Sequence, residues 1–108
     1  MEQLKRELRE RYLSTYKECK KINYKPRIFL DMVVSIDDIV EMTRRLIHKK
    51  EGTEGFFILA EKKRLDLSVE NIILEQRYRV LFNRDDLLAA YNRLEQHGYK
   101  RLNEIQEP

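Results

Sequence analysis

The sequence predicts an all-α fold, a compact bundle of five to six short helices in one domain. Three observations carry this. Three times an apolar residue precedes Ser or Asn, with another apolar residue four positions beyond: Val34-Ser35…Ile39, Leu67-Ser68…Ile72 and Phe82-Asn83…Leu87. Ser and Asn side chains accept hydrogen bonds from the free amides of a helix start, and the apolar pair clasps the chain across it. Only three Gly and two Pro occur in 108 residues, which leaves few turns for a many-stranded fold. Leu4, Leu8, Tyr12, Tyr16 and Cys19 recur every three or four residues, the spacing of one helix face.

That stripe predicts a first helix over residues 2–20, with Lys5, Arg9, Lys17 and Lys20 on its other face. A connector, residues 21–25, leads to Pro26, whose missing amide suits a first helical turn. The second helix carries Phe29, Met32, Val33 and Ile36, and Ser35 is expected to restart the chain as a cap, with Asp38 at its N3 position. The third helix runs to Lys49 with Val40, Leu46 and Ile47 inward, and Arg45, His48, Lys49 and Lys50 complement its C-terminal dipole. Gly52 stops it, and Thr53 caps a fourth helix, residues 54–62. Phe56, Phe57, Leu59 and Ala60 make this segment apolar nearly all round, so a buried strand over 56–60 is the alternative there. Ser68 starts the fifth helix, residues 69–74, and Tyr78, Leu81 and Phe82 anchor a connector that suits a 3₁₀ turn. The sixth helix follows Asn83, with Leu87, Ala90, Tyr91 and Leu94 inward, and Gly98 and Tyr99 close it as a Schellman motif. A polar tail, residues 100–108, remains. The expected core is Phe29, Val33, Leu46, Phe57, Leu59, Ile72, Leu81, Phe82, Tyr91 and Leu94.

The chain divides in expectation into a basic N-terminal helix (1–22), a core helical module (23–99) and the tail. Residues 1–27 hold nine Lys/Arg against four Glu, so the whole positive excess of the chain, net +3, lies in its first quarter. The opening MEQLKRELRE is too polar for a signal peptide, and the longest apolar run, Phe56 to Ala60, is far short of a membrane span of about 20 residues. With a single cysteine, a soluble cytoplasmic protein is expected.

Catalytic signals are sparse. Cys19 lies on an apolar face, where a thiol is structural rather than reactive. His48 and His97 end helices and suit dipole complementation. The Cys and His positions share no metal-ligand spacing, and there is no phosphate-binding glycine loop. Asp37, Asp38, Asp85, Asp86 and Glu70 all fall in first helical turns. Gly52 makes the third and fourth helices a helix–turn–helix-like pair, but the fourth opens with Glu54, Gly55, Phe56 and Phe57, unsuited to major-groove reading.

Two clusters stand out. Lys17, Lys20, Lys21, Lys25 and Arg27 gather near Tyr16 and Tyr24; cations hold phosphates and rings stack on unpaired bases. A solvated or partner-facing helix face is the plainer reading. Arg64, Asp66 and Glu70 form a dense charged spot at a core turn, either a structural salt bridge or a ligand spot. The Leu4-Leu8-Tyr12 stripe also suits self-association or docking on a protein partner. The leading functional expectation is a non-enzymatic interaction or regulatory module. Nucleic-acid binding by the basic helix is the alternative, and an enzyme of unrecognised type a second. No cofactor, metal, small-molecule ligand or membrane contact is implied.

The segments YKPRIFLDMV (24–33), TEGFFIL (53–59), RLDLSVENIIL (64–74), YRVLF (78–82) and AYNRLEQHGY (90–99), in this order and spacing, resemble a small helical domain of no assigned function that recurs in bacterial sequences. The resemblance covers residues 23–99 and leaves the first helix outside. Such sequences often carry Gly between the second and third helices, where this chain has Ser35. The resemblance implies the helical architecture and brings no catalytic residues.

Overall fold

In the computed structural model, which describes residues 1–99, the chain folds as α1 (Glu2–Lys21), α2 (Arg27–Ser35), α3 (Ile39–Ile47), α4 (Glu54–Glu61), α5 (Val69–Ile73) and α6 (Arg84–Gln96). Short 3₁₀ helices at Leu65–Leu67 and Gln76–Leu81 join α4 to α5 and α5 to α6, and the described residues contain no strand. The Cα radius of gyration is 12.8 Å, close to the ~13 Å of a folded domain this long. The expected tail lies outside the described residues.

Most helix boundaries follow local chemistry. The Thr53 side chain accepts from Phe56 N, Ser68 from Asn71 N and Asn83 from Asp86 N. Asp86 in turn accepts from Asn83 N, completing a capping box. Ser35 departs from expectation. It is the last residue of α2, its hydroxyl donates to Asp31 O, and Asp38 caps α3 by accepting from Glu41 N. Ile36 is extended, so three residues separate the helices, and the cap nearest the new helix takes its amides.

Three C-termini share one geometry. Tyr24 N donates to Cys19 O and Asn23 N to Lys20 O; Arg64 N to Leu59 O and Lys63 N to Ala60 O; Tyr99 N to Leu94 O and Gly98 N to Glu95 O. Each is a Schellman pair, and the residue at its left-handed position is Asn23, Lys63 or Gly98. Only Gly adopts that backbone without steric cost, so Lys63, at φ +60°, holds it under strain.

The segment 56–60 is helical, and α4 turns Phe56 inward while Phe57 remains 44% exposed against the His97 ring. This corrects the expected core. Val33, Leu59, Ile72, Phe82 and Leu94 are buried as expected; Phe29, Leu46, Leu81 and Tyr91 pack at its margin. Helix α1 is part of the same core. Leu8 and Tyr12 are fully buried and Cys19 nearly so, each apolar burial contributing about 2 kcal/mol. The Tyr12 hydroxyl lies 2.8 Å from Thr43 Oγ1, which itself donates to Ile39 O, so the phenol is the donor between α1 and α3. Burial pushes the Tyr12 pKa far up. The stripe expected to serve self-association is therefore spent on the protein's own interior, and 1–22 packs with the module rather than beside it.

Candidate interaction groove

The Schellman turn after α1 fixes Tyr24. It places the ring over the start of α4, where a Cβ on Gly55 would stand 3.0 Å from the Tyr24 hydroxyl. Gly55 is thus the close-approach residue of TEGFF. From there the chain enters α2 through Lys25 and Pro26, and the ends of α1, α2, α3, α4 and α5 surround a groove of about 670 Å³.

Its walls are mostly apolar. Phe29 and Met32 come from α2, Leu46 from α3, Phe56 and Ile58 from α4, and Val69 from α5. The Phe29 ring meets Tyr12 edge-on at 5.6 Å, tying this wall to the core. Thr15, Cys19 and Ser68 line it as well, but Cys19 is 2% exposed and burial pushes its thiol pKa up, with Arg64 opposing. Ser68 is committed to the α5 cap and to Leu65 O at 2.7 Å.

Lys25, Arg27 and Lys49 stand at the mouth, all exposed, and Glu54 is the carboxylate on the same lip. Ile28, 78% exposed, also lines the groove and adds apolar surface on its solvent side. Glu70 also lines the groove, yet it is 1% exposed and its Oε2 lies 3.2 Å from Arg93 Nη1. Arg93 donates onward to Lys49 O at 2.7 Å and Leu46 O at 3.4 Å, binding α5, α6 and the end of α3 together. Burial raises the Glu70 pKa against the pull of its own amide and of Arg93.

The two sequence clusters therefore divide. Tyr24, Lys25 and Arg27 reach the groove. Lys17, Lys20 and Lys21 lie on exposed positions of α1; Lys20 stands over the Tyr16 ring at 5.3 Å and Lys21 pairs with Glu18 at 3.0 Å. Arg64 and Asp66 form a two-pronged salt bridge, 2.9 and 3.1 Å, across Leu65. Glu70 does not join them, because α5 turns it inward to Arg93. The charged spot thus resolves into two structural pairs.

Sequence reasoning missed Lys49, Ile28, Met32 and Ile58 as site residues. KPRI (25–28), an apolar residue after two cations, was the available signal; Lys49 and Ile58 arrive only through tertiary packing. A second polar centre was also missed. Asp86, 1% exposed, accepts from Arg44 Nε at 3.1 Å and His48 Nε2 at 2.7 Å besides Asn83 N. His48 is thus a tie between α3 and α6 as well as a helix end. Among the described residues no group of His, Cys, Asp and Glu has the geometry of a metal site, and no helix is long and apolar enough to cross a membrane.

Fold and groove together define a small all-helical domain with an apolar, cation-rimmed groove. No protein-family profile, curated protein or solved structure matches the chain.

Proposed function

We infer that the chain is a non-enzymatic interaction or regulatory module, and that the groove between α2 and α4 is its contact face. One observation carries this reading: a mostly apolar concavity of about 670 Å³ in which the buried Glu70 and Ser68 are already engaged, Glu70 with Arg93 and Ser68 with Asn71 N and Leu65 O. Apolar concave surface of this extent is what ligand and partner sites are made of. The buried free thiol of Cys19 suits a reducing, cytoplasmic setting.

The test is uptake of a neutral, environment-sensitive dye such as N-phenylnaphthylamine. Saturable fluorescence is expected with the full chain and is lost in Ile58→Glu, with a cooperative melt on both samples to exclude loosened states, which also take up dye. No uptake by the folded native chain, or equal uptake by folded Ile58→Glu, would remove the groove as a contact face. Turnover of a substrate by the pure protein would remove the non-enzymatic reading.

Nucleic-acid contact is the second reading, favoured by the exposure of Lys17, Lys20, Lys21, Lys25 and Arg27. Its aromatic partners are engaged, Tyr16 under Lys20 and Tyr24 against Gly55. Deleting 1–22 would strip Leu8, Tyr12 and Cys19 from the core, so the test uses the full chain carrying Lys17→Glu, Lys20→Glu and Lys21→Glu. Anisotropy with labelled single- and double-stranded oligonucleotides is expected to show no salt-sensitive binding that this variant abolishes.

A further inference from the structure

Reading the groove as a contact face leaves its occupant open, and the inference that follows rests on that reading. Charge narrows the choice first. The side chains of Lys25, Arg27 and Lys49 make no ion pair or hydrogen bond among the described residues. The cations at the helix joints are matched, Arg11 with Glu75, Arg44 with Asp86, Arg64 with Asp66 and Arg93 with Glu70, whereas these three line one groove together. With Glu70 held by Arg93, only Glu54 among the groove's carboxylates faces outward against the three cations. The mouth is a local positive field around an apolar floor, which selects and steers a negative partner.

Shape narrows it further. Ile28 and Met32 stand one helical turn apart on α2, Met32 inside the groove and Ile28 on its lip. A segment laid along the groove covers both, with side chains at i, i+4 and i+7 entering between Phe29, Met32 and Ile58.

We propose that the groove receives an acidic amphipathic helix of a partner protein, its apolar face on Met32, Phe29 and Ile58 and its Asp and Glu side chains on Lys25, Arg27 and Lys49.

The test uses fluorescently labelled peptides of about 15 residues, long enough for marginal helix formation. One carries Leu at helical spacing with Glu on its flanks, and its isomer carries Lys in place of Glu. Proteins are the full native chain, Arg27→Glu/Lys49→Glu and Ile28→Glu, all altered at exposed positions. The native chain is expected to bind the Glu peptide at least about ten-fold more tightly than the Lys peptide, less tightly as salt rises. The charge-reversed chain inverts this preference, and Ile28→Glu weakens binding of the Glu peptide. Equal affinities for the two peptides, with neutral-dye uptake intact, overturn the acidic partner while leaving the groove as a contact face. Loss of dye uptake and of peptide binding together overturns both readings. Glu-peptide binding that none of the variants alters lies elsewhere and overturns the proposal. So does sedimentation of the native chain as a dimer that Ile28→Glu dissociates, which gives the groove to a second copy.

Discussion

Two carboxylates, each 1% exposed, sit at opposite ends of α6 and respond to burial in opposite ways. Asp86, in the first turn, collects donors from the Asn83 amide, Arg44 and His48. Burial raises its pKa, but these hydrogen bonds outweigh it and hold the group below the ordinary 3.8. Glu70, beside the last turns, has its own amide and Arg93, and burial keeps its pKa above the ordinary 4.5. Burial alone therefore does not set the state of an acid; the number of donors that replace water does. The α3–α6 joint at Asp86 is an ionic clasp, and the α5–α6 joint at Glu70 is a desolvated pair close to balance.

Breaking the clasp has the largest expected effect. Asp86→Ala removes half of the α6 capping box and the acceptor that Arg44 and His48 share. A loss of about 3 kcal/mol is expected in urea unfolding. The wild type should hold the Asp86 contribution above pH ~4 and lose it as pH falls through the lower folded value. Asp86→Ala should therefore flatten the acid limb.

Next comes the other joint. Arg93→Met leaves Glu70 buried without its cation, and a loss of about 2 kcal/mol is expected at pH 7. Because protonation removes that charge, the deficit should shrink as pH is lowered towards the ordinary Glu range. A deficit constant with pH would show that Arg93 acts only through Lys49 O and Leu46 O.

Glu70→Gln is the sharper probe, with a change within about 1 kcal/mol expected at pH 7, since an amide oxygen still accepts from Arg93. The sign is fixed by the raised pKa: the native chain loses stability as pH climbs from the ordinary Glu range to the folded value, and Glu70→Gln should remove that slope. A loss matching that of Asp86→Ala would abolish the distinction between the two joints.

The smallest effect lies away from both. Lys63→Gly relieves the left-handed residue after α4, and a gain of about 0.5 kcal/mol is expected from thermal melts. Because it touches neither carboxylate, it should shift stability without altering either pH limb.

How far the sequence was legible depends on the range of the signal. Thr53, Ser68, Asn83 and Gly98 announced their roles because a cap and its amide lie within five residues. Ser35 misled for the same local reason: two cap-type residues, Ser35 and Asp38, fall within four positions, and only the length of the linking turn chooses between them. Phe56 and Phe57 were indistinguishable in a helix apolar all round; the fit of Tyr24 over Gly55 orients α4 and turns Phe56 inward. Glu70 read as a neighbour of Arg64 and Asp66, but its partner lies 23 residues on.

By itself, then, the sequence determined the helical class, most helix starts, the closing turn at Gly98 and the basic bias of the first quarter, all set by interactions within one or two turns of chain. The tertiary structure decided that α1 belongs to the core, that Asp86 and Glu70 find Arg44, His48 and Arg93, and that Lys25, Arg27 and Lys49 share one mouth. Those outcomes depend on which helix faces meet, and water is excluded, with its consequences for charge, only where they do.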